Sequence, residues 1–173
     1  ITYINVTKGS KYTKLVLNQK IYDSKTIPYK RGDILDRNGT KIATSERVYN
    51  VILDVVVMTD KEEYIDPTIK VLNKCFGISE KTVREIVEEK PNSRYVILKK
   101  GIDYETAQKY NEIKNDTEKY PNVKGIWLED DYNRTYPYNT LASDVIGFTY
   151  SGNIGAIGIE SAYNDVMTGT DGR

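Results

Sequence analysis

Four stretches of the chain carry the residue types best suited to chemistry: Arg31-Gly32-Asp33-Ile34-Leu35-Asp36-Arg37 followed by Asn38-Gly39, then Glu129-Asp130-Asp131, Arg134-Thr135-Tyr136-Pro137, and Gly155-Ala156-Ile157-Gly158-Ile159-Glu160. The first puts two guanidinium groups and two carboxylates within one short extended segment. On a strand Asp33, Leu35 and Arg37 would share a face opposite Ile34 and Asp36. An Arg fork pairs bidentately with a carboxylate, so the segment is suited to tying remote pieces of chain together; the alternative is a solvated charged strand with a hairpin. Glu129-Asp130-Asp131 reads either as a weak Ca²⁺ site or as an exposed acidic turn. Arg134-Thr135-Tyr136-Pro137 ends a strand with a cation beside an aromatic ring and a rigid φ. Gly155 and Gly158 permit close backbone approach, and Glu160 falls in the first turn of a helix, where the dipole favours a carboxylate. Neither Gly-x-Gly-x-x-Gly nor Gly-Lys-Ser/Thr occurs there, which argues against a phosphate-cradling loop.

Composition removes several chemistries. There is no histidine, hence neither the commonest general base near neutral pH nor the commonest metal ligand. Cys75 is alone, so no intrachain disulfide or Cys-based zinc site can form, and it reads as a small buried apolar residue. No metal and no cofactor is expected. Lys+Arg and Asp+Glu both number 25, leaving no net field to favour nucleic acid or acidic lipid as a partner. Paired carboxylates for glycoside cleavage need a defined separation that sequence does not give. The four Asn-x-Thr patterns beginning at Asn5, Asn38, Asn115 and Asn133 carry little weight by themselves.

The elements that must position these residues are legible in outline. With 39% apolar and 29% charged residues, and 15 Tyr against two Phe and one Trp, the chain reads as one globular module rich in strands and surface. No run approaches the roughly 18 apolar residues of a membrane span. The start at Ile1-Thr2-Tyr3-Ile4 without an initiator Met suggests a segment whose upstream part, an anchor, has been removed. Tyr22–Tyr29 reads as extended, and Asn38-Gly39 signals a tight hairpin turn. Val51, Ile52, Val55, Val56 and Val57 predict a buried strand over Tyr49–Val57. Asp66-Pro67 predicts a helix start, running to Phe76 with Gly77 as its stop. Ser79 and Asp103 are expected to cap two further helices, the first carrying Val83, Ile86 and Val87, the second Ala107, Tyr110 and Ile113. Between them Tyr95–Leu98 reads as a short strand, making an inserted αα-β-α subdomain at about residues 60–122. A strand is expected over Val123–Tyr136, a short helix over Leu141–Gly147, and one helix over Ile157–Met167 stopped by Gly169. The fold class is α+β: an elongated module of long strands and a hairpin with an inserted helical subdomain.

The first, third and fourth stretches, in that order and at that spacing, resemble the three signatures of the N-terminal dimerisation, or pedestal, domain of class B penicillin-binding proteins. The likeness runs from about Leu17 to Gly172, and the helical insert is its least diagnostic part. It implies one domain over residues 1–173, whose signatures interlock by ion pairs and hydrogen bonds: Arg31, Asp36 and Arg37 bonding to the neighbourhood of Arg134 and to Glu160, with Gly32, Gly39, Pro137, Gly155 and Gly158 in the same clamp. The resemblance further implies that residues 163–173 begin the passage into a transpeptidase domain. Its implied partners are that domain, a polytopic glycosyltransferase and other wall-synthesis proteins. It also implies an extracytoplasmic location, with membrane attachment only through an upstream anchor. Two positions depart from the pattern: Asn139 stands where Gly is usual, and Asp144 where a His often follows.

The family's catalytic Ser-x-x-Lys and Lys-Thr-Gly are absent, and Ser151-Gly152-Asn153 matches Ser-x-Asn without its companions. The expectation is a non-catalytic scaffold. A carboxylate-based hydrolase of wall glycans and an unrelated adhesion module are the competing readings. Hydrogen bonding between Arg31 or Arg37 and Glu160 or the Arg134 turn is the observation that separates them.

Overall fold

A computed structural model describes residues 26–138, 143–150 and 153–172. Strand β1 (Ile34–Leu35) turns back into the long β2 (Lys41–Leu53), which is followed by the helices α1 (Val55–Met58), α2 (Glu62–Phe76) and α3 (Glu80–Glu89). Then come β3 (Val96–Ile102), α4 (Tyr104–Asn115), β4 (Ile126–Thr135), α5 (Ser143–Ile146), the short pair β5 (Thr149–Tyr150) and β6 (Ile154–Gly155), and two single-turn helices, α6 (Gly158–Ala162) and α7 (Asn164–Met167). The class is α+β. Strand β2 is the spine: its first residues pair with β1 and its later ones with β3 and β4, all antiparallel.

The chain divides into two compact units, 1–29 with 170–173, and Lys30–Gly169. In the described part of the smaller one, Ile27 and Gly172 exchange backbone hydrogen bonds at 2.9 and 2.8 Å, and Tyr29 N–H donates to Asp171 Oδ1. In the larger one, the helical side of the sheet is sealed by Val51, Leu53, Ile126 and Val96 against Leu72, Phe76, Val83 and Tyr110. A second cluster, Ile34, Ala43 and Ile146 with Tyr136, Ile159 and Met167 packed on it, lies at the other end of β2.

Several sequence expectations shift by identifiable causes. The strand through Tyr49 stops at Leu53, because Asp54 accepts from Val57 N–H at 2.9 Å and turns the β-branched run into α1. Local capping thus overrides strand propensity. The helix expected from Pro67 begins instead at Glu62, with Pro67 inside it. Two acids in its first turn favour the earlier start, and Ile65 extends the buried stripe of Ile69, Leu72 and Phe76 backwards. Ser79 and Asp103 cap α3 and α4 as their types predict. Strand β3 reaches Ile102, four residues past the expected end, and β4 spans Ile126–Thr135. The single helix expected over Ile157–Met167 is two, broken at Tyr163, and Asn164 opens the second with its side chain committed elsewhere. Residues 1–25, 139–142, 151, 152 and 173 lie outside the described residues, and with them the first segment of the chain, Asn139 and most of Ser151-Gly152-Asn153.

Tyr110 is 2% exposed, and its hydroxyl donates to the Ile126 carbonyl at 2.8 Å. Burial pushes its ionisation far above the ordinary phenol range. The neutral form is thus the one the fold accommodates: its contribution is whole below the unfolded value of about 10 and is lost as pH rises beyond it. Thermal melts should therefore hold a level midpoint from neutral to about pH 9 and fall above about pH 10, more shallowly in Tyr110→Phe. A midpoint level to about pH 11 would contradict this assignment.

Candidate functional site

At the end of the larger unit away from α2, α3 and α4, three charged side chains meet almost out of contact with water. Arg31, in the extended segment before β1, and Glu160, in the first turn of α6, are each 0% exposed; Arg134, near the end of β4, is 8% exposed. Arg31 Nε donates to Glu160 Oε2 at 2.8 Å, and Arg134 Nε donates to Glu160 Oε1 at 2.7 Å. One carboxylate therefore holds two guanidinium groups, one on each oxygen. The bonds join residues 129 and 26 positions apart.

Two positive charges against one negative leave a surplus that backbone dipoles must meet, and carbonyls are placed to do so. Arg31 Nη2 donates to the Glu160 carbonyl at 2.8 Å; its Nη1 donates to the Asn153 carbonyl, Asn164 Oδ1 and Thr168 Oγ1 at 2.9, 3.0 and 3.2 Å. Arg134 Nη1 donates to the Gly32 carbonyl at 2.8 Å and to Ser45 Oγ at 3.3 Å. Tyr136 donates its hydroxyl to Glu160 Oε1 and accepts from Thr149 N–H. Burial first, then the neighbouring Glu160 charge, raise the Tyr136 phenol above its ordinary value, which keeps it a donor. No buried side-chain nitrogen or oxygen among the described residues lacks a partner.

The segment from Gly155 to Glu160 can reach Arg31 because two of its residues have no side chain. A Cβ on Gly155 would collide with the Glu160 carbonyl, the group that Arg31 uses. Gly158 sits at φ 64°, where a Cβ would meet the Val145 carbonyl at 2.5 Å. Gly32 donates its N–H to the Met167 carbonyl, which brings the segment after Arg31 against α7.

Not every expected residue joins this cluster. Asp36 stays in its own turn, where Oδ1 accepts from Asn38 N–H and Thr40 N–H at 2.8 Å each. Those amide bonds, Thr40's foremost, hold its carboxyl below the ordinary range. Arg37 is exposed and forms no ion pair among the described residues, because β1 ends at Leu35 and the next residues are turn rather than strand. Gly39 lies in that turn, and Pro137 follows β4 at the surface. Asp33 is bound locally, to Thr44 and Lys41. Asp144 is exposed in the first turn of α5.

Glu129-Asp130-Asp131 forms no turn. It lies within β4, half-buried, with Glu129 receiving Tyr95 and Trp127, Asp130 pairing with Arg47, and Asp131 receiving Asn50. No group of three metal-ligating side chains is found among the described residues. Sequence reasoning missed Ser45, Asn153, Asn164 and Thr168. Only Asn164 leaves a trace, four residues after Glu160 and so on its helical face; the Asn153 carbonyl leaves none.

Residues 26–173 match the family described as the penicillin-binding protein dimerisation domain. The chain belongs to that family. The dimerisation domain is 28% identical over 173 residues to stage V sporulation protein D of Bacillus subtilis, covering 98% of this chain and 24% of that protein. It is 26% identical over 183 residues to the peptidoglycan D,D-transpeptidase FtsI of Buchnera aphidicola, covering 100% of this chain and 30% of the relative. Among solved structures, penicillin-binding protein 2X of Streptococcus thermophilus superimposes with a TM-score of 0.64 at 27% identity, over 86% of this chain and 24% of that one. PBP2 of Helicobacter pylori, solved in complex with MreC, does so with a TM-score of 0.60 at 26% identity, over 85% and 29%. The dimerisation domain thus spans less than a third of each relative. No helix among the described residues is long and apolar enough to cross a membrane.

Proposed function

We propose that this chain is the non-catalytic scaffold module of a peptidoglycan D,D-transpeptidase, standing on the extracytoplasmic face of the plasma membrane behind an upstream anchor. It positions a transpeptidase domain that follows it, by way of residues 163–173, and carries a helical head at about residues 60–122 as a contact region. Its partners are that catalytic domain, a polytopic glycosyltransferase and other wall-synthesis proteins. The complex of a related PBP2 with MreC supports contact with such proteins.

One observation carries the reading: Glu160 joins Arg31 and Arg134 in a buried triad, so that segments far apart in sequence are fixed to one another. Buried ion pairs add little net stability over apolar packing, but they penalise every arrangement that leaves a charge unpaired. Such a clamp suits a module whose task is to hold geometry. Its three charges are consumed by one another and by backbone carbonyls, which leaves the cluster a mechanical part. A fluorescent penicillin is expected to leave this chain unlabelled while labelling a full-length transpeptidase in the same tube. Covalent label on a serine of this chain would overturn the non-catalytic reading.

A further inference from the structure

The sheet of β2, β3 and β4 has two faces, and the apolar core beneath the helices occupies one. Val51 and Leu53 belong to that core, and side chains alternate along a strand, so Ile52 points the other way. Ile52 is fully buried, yet it belongs to neither core cluster. Its cross-strand partners are Ile97 on β3 and Trp127 on β4, a single row across three strands. Tyr95, just before β3, spans the same width. Its ring centroid lies 6.2 Å from that of Trp127, and its hydroxyl donates to Glu129 Oε2 at 2.7 Å. Trp127 Nε1 donates to Glu129 Oε1 at 3.1 Å, so one carboxylate is pinned between a phenol and an indole. Tyr95 is 51% exposed and Ile97 38%.

On β2 and β4 the charge of this face has one sign, while β3 carries Lys99, whose ammonium donates to the Phe76 carbonyl at 2.8 Å beneath the helices, and the exposed Lys100 at the sheet's far edge. By the same alternation β2 contributes Glu46, Val48 and Asn50 to the face, and β4 contributes Glu129, Asp131 and Asn133: three carboxylates and no Lys or Arg from either strand. A carboxylate has about four lone-pair sites, so Glu129 can accept again beyond the two donors that hold it still. Fixed carboxylate, aromatic faces and an exposed aliphatic side chain together fit a cation on an apolar stem, attracted to the rings and the charge alike. The carboxylates around Trp127 disfavour phosphate-bearing lipid and other anions there.

We propose that this open face docks a basic segment of a partner protein, with an arginine or lysine side chain lying against Tyr95 and Trp127 and its charge on Glu129. The inference deepens the scaffold reading, on which it rests for the supposition of a protein partner. Trp127 is the one tryptophan in the chain, so its indole resonance and fluorescence report on this face alone. The test titrates the 173-residue chain with the amidated peptide Arg-Val-Arg-Ile-Arg and with Glu-Val-Glu-Ile-Glu, following the ¹H–¹⁵N indole signal. The basic peptide should shift it saturably, and Glu129→Gln should weaken that binding about tenfold, the worth of a charge-assisted contact. The acidic peptide should do nothing. No saturable shift, equal response to both peptides, undiminished binding by Glu129→Gln, or the same shift with phosphatidylglycerol vesicles would each overturn the proposal. Binding that persists while Glu160→Ala melts like the parent chain would instead remove the clamp and spare this face.

Discussion

Glu160→Ala should lower the unfolding free energy by about 3–5 kcal/mol, the usual result of removing one partner from a buried ion pair. For a chain of this size that corresponds to a fall of roughly 6–20 °C in the melting midpoint. The cost lies less in the lost attraction than in what remains. Arg31 and Arg134 would face one another across a cavity, their Nε groups without acceptors, in a place that water does not reach. Glu160→Gln restores an acceptor but no charge and should fall between the two. Arg31→Ala should be nearly as damaging, and the double variant less so than the sum, because the loss of either residue already spoils the bonds they share. Arg37→Ala supplies the contrast: exposed and without an ion pair among the described residues, it should stay within about 0.5 kcal/mol of the parent. Calorimetric melts of the parent and the five variants decide the matter; a Glu160→Ala midpoint within a degree or so of the parent would sink the clamp.

Gly155→Ala should be comparably severe although it adds a single methyl group. The new Cβ would overlap the Glu160 carbonyl and lie 2.7 Å from Ser161 N, both backbone atoms of α6, so no side-chain rotation can relieve it. Overpacking against yielding neighbours costs typically 1–3 kcal/mol; here the strand or the helix must move, and either motion withdraws an acceptor from Arg31. A loss of about 3 kcal/mol with earlier proteolytic cleavage around residues 153–168 is the expected outcome. A Gly155→Ala protein that melts and resists protease like its parent would mean that the close approach is dispensable.

What could be read from the sequence follows from how local its cause was. Ser79 and Asp103 cap their helices because a cap needs only the next three residues. The meeting of Arg31 with Glu160 and with the neighbourhood of Arg134 is implied by the resemblance of three spaced segments, not by any property of one of them, and the bond between Arg134 and Glu160 is implied by neither. Asp36 and Arg37 were drawn into the same pairing because they stand beside Arg31, but the chain turns at Asp36 and carries both away. The start of α2 is hidden in the sequence because Pro67 usually opens a helix, whereas here Ile65 and the acids before it have more to gain from continuing. The Asn153 carbonyl, one of Arg31's acceptors, sits on backbone with φ 59°, which an Asn readily adopts, but the letter does not tell which donor from 122 residues away the carbonyl will meet.

The separations within the triad also set an order of assembly. A chain emerging from its N-terminus presents Arg31 first, Arg134 some hundred residues later and Glu160 after 26 more. Until then both guanidinium groups are better left in water, since burying them uncompensated would cost several kcal/mol. The part of the molecule built around the later half of β2 and helices α2 to α4 can gather its apolar core early, from contacts that are nearer in sequence than those of the triad, while the first half of β2 must wait. Closure of that end is therefore a completion signal: it cannot dry out until the last stretch has arrived.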